Sequence, residues 1–411
     1  MRAIPFCAVL ATVYFVTAAS AQDTCQPDGV QSSGSIYRIC MPPADDYNGQ
    51  LVLWAHGFQD AGTPVQIPED QLEFGDFTLP GIINALGYGF ATNSYSKTGL
   101  AIREGQDDLL DLVEIYAATE GAPDKVLLTG ASEGGIITTL LVEKHPEIFD
   151  GGVAACGPIG DFPLQINYFG DVRAVLEYFF PDLIPGDPFN PTPALAMEWS
   201  DFYEAQVKPV LLAPENRDKL DQLVRIVDLP FDPQDYLETV ENSVKDALRY
   251  AVVNLNDARD TLGGFPFDNS SRLYFGSDDD VSLNFGVIRT TADDFARKSM
   301  FKFYRTTGVV QKPLITIHTT LDQQVPFIHE FLYAQKSFSE GSFGVTHQNF
   351  FFDRYGHCNF ELPEILGAFA LLIDEVGSSR PAGLERFMNA EQMARYRSVL
   401  EMRNQAPARR P

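Results

Sequence analysis

Basic residues are scarce in this chain. Lys and Arg number 30 against 56 Asp and Glu, a formal net charge of −26 over 411 residues. So acidic a surface disfavours nucleic acid and anionic membranes as partners. Long apolar runs are absent beyond the N-terminal stretch. None approaches the roughly 18 uninterrupted residues that span a bilayer. No Cys/His spacing marks a zinc site, and no G-x-G-x-x-G turn or P-loop occurs. Internal repeats and low-complexity tracts are also missing. No metal and no organic cofactor is implied. What is present is globular: 45% hydrophobic and 21% charged residues, in a chain long enough for one large core or two modest ones.

The opening, MRAIPFCAVLATVYFVTAASAQ, has the pattern of a secretory signal. Arg2 supplies the positive end, residues 6–16 the apolar run, and Ala19-Ser20-Ala21 a small-residue cleavage site. The run is too short for a span and no stop signal flanks it. The expectation is a signal peptide over 1–21, with export to an extracellular or periplasmic space and no stable membrane anchor. Cys7 leaves with that segment. Cys25, Cys40, Cys156 and Cys358 remain, an even set that predicts two disulfides with three possible connectivities. Cys25 and Cys40 flank a short turn-rich segment and are expected to pair locally. Cys156 and Cys358 are then left for each other.

Taken in order, residues 22–50 are polar and turn-rich, with a short strand at 35–41. LVLWA at 51–55 reads as a buried parallel strand that stops at His56-Gly57-Phe58. The loop to about residue 79 reads as irregular surface. A helix is expected over 80–86, a strand over 88–95, and a helix over 103–120, where Leu109, Leu112, Val113 and Tyr116 fall at helical spacing. A strand over 125–129, a helix over 136–144 and a strand over 151–156 follow. This alternation predicts a parallel sheet covered on both faces. Residues 161–305 change rhythm: they are rich in proline and aromatics, carry helical patches, and read as a mostly helical insertion over the sheet. Sheet rhythm returns with PLITIH at 313–318, a helix at 326–337, a strand at 349–353 and a helix at 363–375. The segments are therefore two core halves, 22–160 and 306–380, the insertion 161–305, and a charged stretch 381–411 expected as a surface helix and frayed tail.

The stretch VLLTGASEGG at 126–135 carries the chemistry. Gly130-Ala131-Ser132-Glu133-Gly134 is a G-x-S-x-G turn between an apolar strand and a helix, the context that exposes a serine above a sheet. A serine hydroxyl needs a base within hydrogen-bond reach and an acid to orient that base. His357 follows the last strand in a glycine-flexed turn, and Asp322 follows the PLITIH strand. The other histidines have plainer roles. His145 ends a helix as a cap, His318 packs or hydrogen-bonds at a buried strand end, His56 is structural, and His329 and His347 lie on the surface. Asp353 is a rival acid, but it sits four residues before His357 and would have to double back.

The order Ser132, Asp322, His357 resembles the α/β-hydrolase superfamily. The resemblance rests on His56-Gly57 after a strand, the serine turn, the segment Asp322-Gln323-Gln324-Val325-Pro326, and Gly356-His357. It covers roughly residues 48–160 and 306–380. It implies an α/β-hydrolase fold: a mostly parallel central sheet with helices on both faces and a large helical lid, here 161–305, between the two sheet halves. It implies Ser132 as nucleophile, His357 as base and Asp322 as the acid that orients it. The oxyanion donors would be the N–H of Glu133 and that of Phe58 or its neighbour Gln59. The Glu133 side chain is expected to turn away from the substrate. Cys358 beside the base resembles the histidine–cysteine pair of the tannase and feruloyl esterase family. In that family the bridging cysteine precedes the serine, a place held here by Ala131, so Cys156 is the sulfur expected to bridge to Cys358. The implied activity is hydrolysis of small or polymeric carboxylic esters through an acyl-enzyme. A serine peptidase on the same fold and a catalytically silent binding protein are the alternatives. Asp278-Asp279-Asp280 lacks the alternation of a calcium loop and reads as solvated. Asn269-Ser270-Ser271 is a glycosylation acceptor, with Asn269 as the site.

Overall fold

The computed structural model describes residues 25–381 and 383–405. The signal peptide expected over 1–21 lies outside the described residues. An eight-stranded sheet forms the centre. Its strands are β1 (Gly29–Val30), β2 (Ile36–Cys40), β3 (Gln50–Ala55), β4 (Gly89–Asn93), β5 (Lys125–Ala131), β6 (Gly151–Ala155), β7 (Leu314–Leu321) and β8 (His347–Tyr355). Their spatial order is β1-β2-β4-β3-β5-β6-β7-β8. β1 and β2 run antiparallel, and every pair from β4 to β8 is parallel.

Helices cover both faces because the central strands are apolar on both. Leu51 and Leu53 of β3 join Leu128 of β5 under α2 (Ile102–Glu120) and α3 (Glu133–Lys144). Val52, Leu127, Val153 and Ile315 point the other way, under α1 (Leu79–Ala85) and the C-terminal helices. Each such side chain contributes roughly 1.5–3 kcal/mol on burial. The connection to α3 is the tightest. A Cβ on Gly134 would lie 1.9 Å from the Ala55 carbonyl oxygen, and one on Gly130 would lie 2.4 Å from that of Gly134. Only glycine lets helix and strands approach so closely.

Between β6 and β7 every regular element is helical. The main ones are α4 (Phe162–Phe179), α5 (Arg217–Val227), α6 (Tyr236–Arg249) and α7 (Leu255–Leu262), with further helices at Asp280–Gly286 and Asp294–Phe303. The insertion has its own core, in which Val172 and Val175 meet Leu223, Val244 and Leu248. After β7 come α8 (Ile328–Ser339), α9 (Leu362–Glu375) and α10 (Ala390–Gln405).

Several expectations change. The 56–79 loop is not irregular surface throughout: Ile67 and Leu72 are buried, and Glu73–Phe74 pairs with Phe77–Thr78 as a small hairpin. The surface helix expected near the C-terminus instead buries Tyr396 and Val399, and Gly367 of α9 makes room for Val399. His329 and His347 are not surface residues; both are fully buried, with His347 held by Ser337 and Thr316. Asn269 is buried, not available to a glycosyltransferase. Its amide donates to Tyr274 and the Ile288 carbonyl and accepts from Thr290 N–H. Asp279 caps the helix at Asp280–Gly286, and Asp280 accepts from Ser277, so the acidic triplet organises a turn. His145 caps α3, as its sequence position implies.

Burial pushes the imidazoles of His56 down to about 4 and of His329 and His347 to about 3. Each is neutral in the fold, whereas the unfolded chain takes up a proton near 6.5. Unfolding therefore binds protons below pH 6.5, and stability rises with pH from about 3 to about 6.5. The melting temperature should fall steadily as pH drops through that window. His329→Gln cannot take up the proton and should flatten the slope; an unchanged slope would remove His329 from the account.

Candidate active site

Ser132 stands where β5 meets α3. Its backbone is left-handed, with φ of 58°, a conformation a non-glycine residue holds only when its surroundings enforce it. The enforcement is visible. Ser132 N–H donates to the Ala155 carbonyl at 2.9 Å, and the Ser132 carbonyl accepts from Gly135 at 2.9 Å. Gly57 backs onto the turn, since a Cβ there would meet the Ser132 Cβ at 3.3 Å.

The structure brings Ser132, His357 and Asp322 together. His357 Nε2 lies 2.9 Å from Ser132 Oγ. His357 Nδ1 lies 2.8 Å from Asp322 Oδ2 and 3.0 Å from Oδ1. Asp322 has no exposure, and its Oδ1 also accepts from the N–H groups of Gln324 and Val325, each at 2.9 Å. Burial works to raise the Asp322 pKa. The His357 charge and the hydrogen bonds from His318 and His357 overcome it and hold the carboxyl well below the usual range. Asp353 is elsewhere, exposed on β8 and accepting from Thr320.

The disulfides are Cys25–Cys40 and Cys156–Cys358. The second joins the residue after β6 to the residue after His357. Cys156 and Cys358 both have left-handed backbones, with φ of 46° and 49°. The bridge therefore ties the histidine turn to the strand beside the serine turn. Cys156, His357 and Cys358 lie close enough to suit a metal ion. Both sulfurs are committed to the disulfide, however, and offer no thiolate.

The oxyanion candidates Phe58, Gln59 and Glu133 line the cavities that meet at Ser132. Glu133 is the first residue of α3, so its N–H has no partner inside the helix. Gly57 N–H is taken by Gln71 Oε1 at 2.6 Å, while Phe58 lines both cavities that meet at Ser132. The Glu133 side chain is buried, and its Oε1 accepts from Ala101 N–H at 2.8 Å. Burial pushes this carboxyl up to about 8, against the pull of that N–H. His56 is structural: its Nδ1 meets the Gly57 carbonyl, and its ring stacks on Tyr95 at 3.8 Å.

One cavity runs from Ser132 into the insertion past Leu100, Ile102, Phe162, Ile166, Phe169 and Phe267. A wider cleft opens on the other side, past Gln59, Asp60, His357 and Phe360. Sequence patterns gave no sign of how the insertion is fastened here. Asp60 pairs with Arg249 and accepts from Asn254, Ala61 N–H donates to Asn254, and Asp246 accepts from Gln323 and Gln324. Polar residues at such distance in sequence carry no local signal.

A single substitution tests how strictly the turn is built. Gly134→Ala should destabilise the protein by about 2 kcal/mol or more and remove most reactivity of Ser132, read by thermal melts and by labelling with a fluorophosphonate. A variant of normal stability and labelling would mean that the approach to Ala55 relaxes freely.

Residues 85–161 match the prolyl oligopeptidase family, a stretch that includes the serine turn. No curated protein matches. Among solved structures, Candida antarctica lipase A is 13% identical with a TM-score of 0.47, over 90% of this chain and 84% of that one. A Pyrococcus furiosus esterase is 10% identical with a TM-score of 0.40, over 84% of this chain and 88% of that one. The acylaminoacyl peptidase of Pyrococcus horikoshii is 12% identical with a TM-score of 0.39, over 82% of this chain. This chain spans only 37% of that peptidase's length. The family match is confined to the stretch around the serine turn, and the sheet has the mostly parallel order of an α/β-hydrolase fold.

Proposed function

We propose that the chain is an exported esterase that cleaves carboxylic esters through an acyl-enzyme on Ser132. The observation that carries this reading is the apolar cavity ending on Ser132. Its charged lining residues are Glu133 and Arg173, and Arg173 is paired with Glu177. An apolar acyl group fits such a chamber. Two disulfides support an oxidising compartment, and among the described residues no helix is long and apolar enough to cross a membrane.

The reaction follows from the geometry. Ser132 Oγ attacks the ester carbonyl carbon as its proton passes to His357 Nε2. Asp322 keeps the Nδ1–H tautomer in place and stabilises the imidazolium. The N–H groups of Glu133 and of Phe58 or Gln59 hold the oxyanion. Collapse expels the alkoxide into the wider cleft, where it takes the proton from His357. Water then attacks the acyl-enzyme by the same route. The insertion would act as the lid over this chamber.

The peptidase reading is favoured by the family match alone, since the cavity offers no free charged pair to anchor a peptide terminus. The purified protein should hydrolyse nitrophenyl esters, with preference for apolar or aromatic acyl groups, and leave peptide nitroanilides largely intact. The reverse pattern would install the peptidase reading. A fluorophosphonate probe should label Ser132, and an unlabelled folded protein would mark a silent scaffold. Ser132→Ala should abolish turnover, and Asp322→Asn should cost about 10⁴ in rate, the size seen for the equivalent change in a serine protease.

Glu133 adds a pH dependence. Below about 8 its carboxyl is neutral; above, it ionises in the wall of the chamber that ends on Ser132 and opposes the negative charge that develops there. Activity should fall as pH rises through about 8, and Glu133→Gln should remove that fall. A fall that persists unchanged in Glu133→Gln would clear this residue.

A further inference from the structure

Behind Asp322 lies a second set of ionisable groups, fully buried and unused in the mechanism above. His318 has no exposure, and its Nε2 lies 2.9 Å from the Val325 carbonyl oxygen and 3.3 Å from Asp322 Oδ2. Its Nδ1 lies 3.4 Å from Glu330 Oε1, itself 1% exposed. Glu330 Oε2 accepts from Thr316 Oγ1 at 2.6 Å. Among the described residues, no Lys or Arg forms an ion pair with Asp322 or Glu330.

The protons can be placed from these contacts. Nε2 must carry hydrogen, because it faces a carbonyl. A neutral ring would then point the bare Nδ1 lone pair at a carboxylate oxygen, two acceptors facing each other where no water reaches. A proton on Nδ1 removes the conflict. It also places one positive charge between two buried carboxylates, which burial otherwise penalises heavily.

Resting on the reading of Ser132, His357 and Asp322 as the catalytic groups, we propose that His318 and Glu330 are positioning residues for that reaction. His318 stands as a permanent imidazolium that keeps Asp322 charged and aimed at His357, and Glu330 keeps His318 protonated. At rest Asp322, His318 and Glu330 carry one net negative charge. When His357 takes the Ser132 proton, the set of four becomes neutral. No proton leaves His318 in any step. Burial works against a charged His318, but the hydrogen bonds and charges of Asp322 and Glu330 prevail and raise its pKa to about 10. The other groups around it stay neutral. Burial holds His329 and His347 near 3, and Tyr333 is raised well above its usual range.

Nitrogen NMR of the wild-type protein labelled at histidine tests this directly. One ring should keep both nitrogens protonated from pH 5 to pH 9, and Glu330→Gln should abolish that signal. His318→Gln should move the acid limb of the kcat/KM profile to higher pH by roughly one unit, because removing a positive charge strengthens proton uptake at His357. A merely structural role would lower activity without moving the limb. The proposal is overturned if wild-type protein has no persistent doubly protonated ring, or if folded His318→Gln keeps the limb unmoved. If His318→Gln does not fold, the wild-type spectrum decides. Fluorophosphonate labelling of Ser132 reports separately on the parent reading, which can fail while the His318 signal stands.

Discussion

A carboxylate sealed from water is the constraint on which this site is built. Asp322 has no exposure, yet it is held charged. That state survives only while donors surround it: two backbone N–H groups of its own loop, His357 on one side and His318 on the other. Each donor constrains a different part of the chain. The loop N–H groups fix the turn after β7, His357 fixes the turn after β8, and His318 fixes the end of β7 itself. Loss of any one would leave a buried charge short of a partner, a cost of several kcal/mol. The histidine is therefore aimed at Ser132 by folding, before any substrate arrives.

The serine turn is constrained from the opposite direction, by space. Gly130, Gly134 and Gly57 let backbone meet backbone around Ser132, and the left-handed Ser132 follows from that crowding. The Cys156–Cys358 bridge then ties the histidine turn covalently to the strand beside the serine turn. The insertion belongs to the same construction. Through Asp60 it grips the loop carrying the Phe58 and Gln59 N–H groups, and through Asp246 it grips the loop carrying Asp322. A π-helical turn at Tyr250–Asn254 lies at this junction, with Tyr250 stacked on Phe169 and edge-on to Phe58. Movement of the insertion would thus be felt at both loops.

Much of this was legible in sequence because it is local. The apolar runs of β3 and β5 are continuous, β7 opens on Leu314, Ile315 and Ile317, and each chemistry-bearing residue follows a strand. What escaped was long-range burial. His329 and His347 look polar in sequence, yet they lie in the layer between α8 and the sheet, where Ser337 and Thr316 satisfy His347 and Asp161 N–H meets His329. Glu330 reads as an ordinary helix-start acid, and only the fold shows that it faces His318. Asn269 fits an acceptor triplet, but its amide is used up by a turn. The small hairpin before α1 has strands of two residues each, too short for any periodicity to show.

The electrostatics of the two cavities draw these features together. The surface carries the excess of acids, and the site holds its own charges in paired, buried form. Among the described residues, the chamber beside Ser132 is lined by one guanidinium and one carboxyl only: Arg173, paired with Glu177, and Glu133, which burial pushes up to about 8. On the esterase reading proposed above, a neutral acyl group would enter without desolvating a protein charge, whereas an anionic one would meet both the surface field and a chamber with no free cation among its described lining residues. On the same reading, the negative charge that the reaction creates would be met by backbone N–H groups, which need no counter-charge and no rearrangement. Such a site would favour neutral substrates for the same reason that it can keep Asp322 buried: its charges are matched within the protein and not left for the ligand to complete.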